Sequence, residues 1–405
     1  MGQTLKLTFR LSTVPGREGY LIWRLIKDRH VTYLASGCTC HKDEFDEKTQ
    51  QFHFGGLAEE RQMFLHGEEQ TLAAAKKTIE LIIKARAKRD GDYSPEEVLS
   101  FYKDNRHRFF FLNFIDEQAR RAGTLMQTSK KEHYMSAYNK FNKFTGGKDM
   151  LIIDLTADTM AEFNVKMKAD GLQTNTLSFY NRILRAVYNI AIEQGLTEDR
   201  HPFRHVYTGI AKTMKRAVPV SVIRKIAHLD LQDNAPDDYA RDMFLFSFYT
   251  RGMSFVDMAF LKKTSLQYGI LTYHRRKTGQ ALNIKWEKPM QDILDKHKAD
   301  AASPYLLDII RPNASTDERS QYKSRSFTVN FHLKEVGRAV GLQVPLTMYV
   351  ARHSWASACK ASNIPLSVIS EGMGHDNEET TRIYLAQLDT SVVDKANRKI
   401  IKQVI

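Results

Sequence analysis

The feature that most limits what this chain can fold into is a change in the period of its apolar residues. Leu5, Leu7, Phe9 and Leu11 alternate with Lys6, Thr8 and Arg10, a period of two that suits a strand with one buried face. Val14-Pro15-Gly16 marks a turn, and strand-like runs follow at Tyr20 to Ile26, His30 to Ala35 and Gln51 to Phe54. From Thr71 to Arg89 the period is helical, with Leu72, Ala75, Ile79, Ile82 and Ile83 on one face. Asp90-Gly91-Asp92 ends that run, and Ser94 before Pro95-Glu96-Glu97 caps another helix. A small sheet followed by helices makes the fold mainly α with small β elements, an α+β class.

The chain has 405 residues, enough for two or three domains. The spacing predicts a first domain over 1–92, made of the small sheet and a connector helix. A second, over 105–210, carries helices at Phe109 to Arg121, Lys130 to Phe144, Thr156 to Asp170 and Gln173 to Gln194, a helical bundle. A third, over 215–405, is mixed but mostly helical, with a β-hairpin from Leu271 to Trp286 that turns at Lys277-Thr278-Gly279-Gln280.

Sixty Lys plus Arg against 47 Asp plus Glu give a formal net charge of +13, which favours an anionic partner, nucleic acid being the commonest. Solubility alone explains many basic surfaces, so charge does not decide the matter. Arg10 and Arg24 lie on the sheet, which reads either as a solvated face or as a DNA-contacting one. Lys130, Lys131, Arg182 and Arg185 flank the bundle helices, where they can face phosphates. Cys38, Cys40 and Cys359 lack the further ligands a zinc site needs and read as free thiols; no metal is expected. The N-terminus resembles no signal peptide and no apolar run approaches a membrane span, so a cytoplasmic protein with no membrane partner is expected.

Three short segments carry chemistry. In Arg251-Gly252-Met253-Ser254-Phe255-Val256-Asp257, Ser254 and Asp257 fit a capping box, with Arg251 just before the helix start, an arrangement suited to a phosphate. In Tyr349-Val350-Ala351-Arg352-His353-Ser354-Trp355, Arg352 falls among apolar neighbours and so needs an anionic partner. In Gly374-His375-Asp376-Asn377-Glu378-Glu379-Thr380-Thr381-Arg382-Ile383-Tyr384, the glycine ends one helix, Asp376 caps the next with Glu379 completing the box, and Tyr384 lies about two turns in.

Taken in order, Arg251, a hairpin lysine (Lys277), Arg352-His353, Gly374-His375 and Tyr384 resemble the signature of the tyrosine recombinases, the phage integrase family. The runs Ser254 to Leu261 and Val350 to Ala356 are similar to integrases of Bacteroidetes mobile elements. The resemblance covers the whole chain: an arm-type DNA-binding domain, a core-binding domain and a catalytic domain. One position departs from the family's pattern. Tyr349 stands three residues before Arg352, where the family often has histidine, and tyrosine is a poor base near neutral pH.

The resemblance implies a site-specific recombinase that cuts and rejoins DNA through a 3′-phosphotyrosine, integrating or excising a mobile element without a cofactor. It assigns catalysis to Arg251, Lys277, Arg352, His375 and the nucleophile Tyr384, with Tyr349 and His353 in support. The implied partners are double-stranded DNA at core and arm-type sites, a homotetramer on synapsed DNA and a host DNA-bending factor, with the protein at the nucleoid when it acts. An invertase, a type IB topoisomerase-like activity and a catalytically weak DNA-binding regulator stay open as alternatives.

Overall fold

A computed structural model of the protein describes residues 3–211, 217–312 and 314–386, with positions 398, 400, 401 and 403; the side chains of 89, 90, 383, 384 and 386 lie outside the description. The C-terminal sequence carries an apolar stripe of Val392, Val393, Ala396, Ile400, Ile401 and Val404 at helical spacing; of these only Ile400 and Ile401 are among the described residues, and both are exposed. Contacts divide the chain into two compact units, Met1–Ala211 and Lys212–Ile405.

The first unit opens with an antiparallel sheet of β1 (Gln3–Arg10), β2 (Gly19–Lys27) and β3 (His30–Cys40), with β2 in the centre. Alternation sets its two faces. Leu7, Leu21, Trp23, Leu25, Cys38 and Cys40 are buried on one. On the other, Lys6 pairs with Arg24 and Arg24 with Tyr33 across the strands. β3 runs five residues beyond the expected Ala35, because Cys38 and Cys40 keep the alternation going past Gly37. A two-residue ladder, β4 (Phe45–Asp46) with β5 (Gln51–Phe52), follows.

Helix α1 (Glu59–Asp90) is 32 residues long and begins twelve residues before the expected Thr71. Its front half hides its period, since Met63 and Phe64 are exposed, Gly67 interrupts it and Ala58 offers no capping side chain. Leu65 is nevertheless fully buried, and Arg61 binds Glu44 through two hydrogen bonds of 2.7 and 2.6 Å and Glu18 at 2.6 Å. That bidentate pairing anchors α1 to the strands. Helix α2 (Pro95–Asn105) starts with the expected Ser94 cap, and Glu97 completes it into a reciprocal capping box.

The bundle is built of α3 (Phe111–Thr124), α4 (Thr128–Thr145), α5 (Ala157–Ala169) and α6 (Thr174–Glu193). Residues 106–109 form a 3-10 turn, so α3 starts two residues after the expected Phe109. Phe111, Phe141 and Phe163 interlock at ring separations of 5.2 and 5.7 Å. Asn164 and Asn181 exchange amide hydrogen bonds between α5 and α6. The apolar core of this unit runs without a break from Leu7 to Phe203.

The second unit packs α7 (Val220–Ala227), α8 (Ala235–Tyr249) and the short α9 (Phe255–Ala259) with a three-stranded antiparallel sheet of β6 (Leu266–Gln267), β7 (Ile270–His274) and β8 (Ala281–Lys285). β7 and β8 are the expected hairpin; β6, two residues long, was too short to register in the sequence. Then come α10 (Lys288–His297), α11 (Glu318–Ala339), α12 (Met348–Ala361), α13 (Leu366–Met373) and α14 (Glu378–Ala386). Met243, Phe244 and Phe246 of α8 are fully buried at the centre of this unit's main core, which Leu333 of α11 and Ala351 of α12 join.

Candidate active site

Arg251 lies just past the end of α8, where the chain turns on two successive left-handed residues, Arg251 at φ 62° and Gly252 at φ 76°. A non-glycine residue in this region is uncommon and costs backbone energy. Gly252 meets a second demand, because a Cβ there would come within 2.7 Å of Arg352 Cα. The turn is therefore pressed flat against α12, and the Gly252 carbonyl accepts a hydrogen bond from Arg352 Nη1 at 3.0 Å.

Ser254 caps α9, but the expected reciprocal box does not form. Asp257 accepts from the Ser254 hydroxyl at 2.6 Å rather than from its backbone amide, and its other oxygen accepts from the backbone N–H of Arg276 at 2.9 Å. Asp257 is buried, and it ties the start of α9 to the hairpin turn that carries Lys277. Lys277 is exposed on that turn, closed by hydrogen bonds between Arg275 and Gln280 and from Gly279 back to Arg275.

Arg352 is only 5% exposed. Besides Gly252, it donates from Nη2 to the Met373 carbonyl at 2.7 Å and to His375 Nε2 at 3.1 Å. His375 in turn meets Thr381 Oγ1 through Nδ1 at 2.7 Å. Burial, followed by the charges of Arg352, Arg275 and Lys277, pushes the His375 pKa down to about 4. His353, the next residue along α12, is buried, and the exposed Tyr349 packs perpendicular to its ring at a centroid separation of 4.7 Å.

The charges of Arg352, Arg275 and Arg251 all act on the hydroxyl of buried Tyr273, whose pKa burial drives upward. Arg251, Lys277, Arg352, His353 and His375 thus occupy one neighbourhood, with Tyr349 at its rim. Tyr384 lies in α14, which follows the His375 turn; its side chain is outside the description. The cap of α14 is Asn377, whose side chain accepts from the Glu379 amide at 2.7 Å, and not the expected Asp376. Either residue type can cap, and position relative to the first helical residue decides between them.

Sequence reasoning missed three contributors. Asp257 was read only as a cap residue. Arg275 is buried and donates to the Gly374 carbonyl, and a Cβ on Gly374, at φ 63°, would come within 2.7 Å of its Cδ. Thr381 is fully buried. The doubled threonine three residues before Tyr384 was the only available signal for it. Among the described residues, Asp238, Asp242 and His297 are close enough to share a cation, but Arg241 and Lys296 already pair with both carboxylates.

Residues 110–206 match the phage integrase SAM-like domain and residues 251–391 match the phage integrase family. The chain belongs to the tyrosine recombinase family. Among tyrosine recombinases it is similar to XerA of Pyrococcus furiosus, 26% identical over 236 residues, covering 56% of this chain and 76% of that protein. A lambda integrase dimer bound to a COC′ core site shares the fold over 93% of this chain and 96% of that one, with a TM-score of 0.54 at 14% identity. The same integrase as a tetramer on a Holliday junction gives 0.51 at 15% identity over 84% and 94%. The Tn1549 transposon integrase with circular intermediate DNA gives 0.52 at 14% identity over 72% and 99%. No described helix is long and apolar enough to cross a membrane.

Proposed function

We propose that the chain is an integrase that inserts or excises a mobile element by cutting and rejoining DNA strands, with Arg251, Lys277, Arg352, His375 and Tyr384 as its catalytic residues. The observation that carries this reading is Arg352. It is buried and is fastened to the Arg251 turn, the end of α13 and His375 at once.

In the proposed reaction the Tyr384 hydroxyl oxygen attacks a phosphate, a P–O bond to tyrosine forms and the bond to the 5′-oxygen breaks. Arg251 and Arg352 stabilise the charge that develops on the non-bridging oxygens, and His375 hydrogen-bonds the same phosphate. Lys277 protonates the departing 5′-oxygen. A 5′-hydroxyl of the partner strand then attacks the 3′-phosphotyrosine and restores the backbone. Each step exchanges one phosphoester for another, so no nucleotide cofactor is needed. His353 and Tyr349 are assigned supporting parts, His353 in orienting Arg352 or the phosphate and Tyr349 as a supporting contact.

Residues 1–92 are assigned to arm-type sites, 105–210 to the core site and 215–405 to catalysis. Lys6 directly opposite Arg24 is unfavourable in an isolated sheet, and an anionic partner relieves it. Arg10 extends the same face, its guanidinium 5.7 Å from the centre of the Tyr33 ring. Lys130, Lys131, Arg182 and Arg185 are exposed on α4 and α6 and are assigned to the duplex backbone. The lambda integrase tetramer on a Holliday junction supports a homotetramer on synapsed DNA. Acting on chromosomal DNA puts the protein in the cytoplasm, at the nucleoid, where a host DNA-bending factor has access.

The test is covalent capture. Incubating the protein with nicked duplexes that lose the 5′ end after cleavage, then sequencing the attached strand, maps the site. The Tyr384→Phe variant is expected to bind the same duplex and form no covalent complex; capture by that variant overturns the assignment. Exchange between two duplexes, as opposed to relaxation of one plasmid, separates recombinase from topoisomerase.

A further inference from the structure

We propose that Thr381 is a positioning residue whose hydroxyl orients His375 and makes seating of the Tyr384-bearing helix a condition for assembling the phosphate clamp. The inference rests on the reading above. A guanidinium nitrogen only donates, so its contact with His375 makes Nε2 an acceptor. A neutral imidazole carries a single N–H, which must then sit on Nδ1 and donate to Thr381 Oγ1. Thr381 is fully buried on α14, one helical turn before Tyr384. One hydrogen bond therefore joins the catalytic ring to the helix of the nucleophile, and displacing α14 removes it.

This tautomer has a consequence for catalysis. A lone pair at Nε2 cannot donate to a phosphate oxygen. When DNA enters and Arg352 turns to the phosphate, Nδ1 releases its proton to water and Nε2 takes one up, with no net change in protonation. A threonine hydroxyl accepts and donates equally well, so it rotates and donates to Nδ1 in the new tautomer. Threonine supports the ring in both states, and valine, its isostere, supports neither.

The test combines ring spectroscopy with kinetics. In the full chain labelled with 15N-histidine, Nδ1 of His375 is expected to be the protonated nitrogen and Nε2 the bare one, with H375Q identifying the signals. T381V is expected to leave the Nδ1–H without its partner, shifting its ring signals, and to slow covalent-complex formation on the captured duplex about tenfold to a hundredfold, while DNA binding holds. T381S is expected to restore both the rate and the ring pattern. A wild-type ring protonated at Nε2 without DNA overturns the proposal, as does T381V with unchanged ring signals and rate. If T381V does not fold, the ring patterns of wild type and T381S decide. A wild-type protein that captures no DNA counts against the functional reading, and the ring measurement still judges Thr381.

Discussion

A buried guanidinium is ordinarily matched by a carboxylate, and Arg352 is held by the carbonyls of Gly252 and Met373 and by His375. Tyr349, by contrast, is 57% exposed and touches the cluster through a perpendicular ring contact with His353. Tyr349→Phe is therefore expected to keep most of the strand-cleavage rate, whereas Arg352→Ala loses on the order of a hundredfold or more. Equal losses in single-turnover cleavage would give the Tyr349 hydroxyl a chemical part it is not assigned here. His375 also sets a pH response. Its folded pKa of about 4 lies below the ordinary value of 6.5, so between the two only the unfolded chain binds the proton. Stability should fall as pH drops from 6.5 toward 4 and gain nothing from this group above 6.5. Urea midpoints across that range should fall less steeply for His375→Gln than for wild type; parallel slopes would refute the assignment. The family's charged positions were legible because their order along the chain is distinctive. Asp257, Arg275 and Thr381 were not, because each acts through a contact with a segment that only folding brings near.

Elements were most legible where period and punctuation agreed. The hairpin of β7 and β8, the Ser94 cap of α2 and the four bundle helices follow from local rules. The first half of α1 escaped because its exposed Met63 and Phe64 blur the apolar face, and the cap of α14 slipped by one residue because Asp376 and Asn377 are chemically interchangeable there. The turn after α8 belongs to neither class. Its backbone is left-handed at Arg251 and Gly252, and α12 approaches too closely for a Cβ at Gly252. Gly252→Ala is expected to cost about 2 kcal/mol or more and to displace both arginines. Chemical denaturation reads the first effect and single-turnover cleavage the second. A fully stable, fully active variant would show that the turn can yield.

At the scale of the whole molecule the balance of charge leads. A net charge of +13, with basic residues displayed on the open face of the sheet and on α4 and α6, predicts binding dominated by counterion release. Affinity for the captured duplex should drop roughly a thousandfold between about 50 and 200 mM salt if some six phosphates are contacted. A flat response in a titration series would argue against those surfaces. Composition made the anionic partner legible, but not which faces meet it. The thiols, read from the sequence only as reduced and free, are all buried. Burial lifts the Cys40 thiol to about 11 and raises those of Cys38 and Cys359 as well. Thiols kept protonated and shielded react slowly with maleimides. The native chain is thus close to a blank background for fluorophores, so that a single cysteine introduced on an exposed helix would take up a dye selectively and let synapsis be followed one molecule at a time.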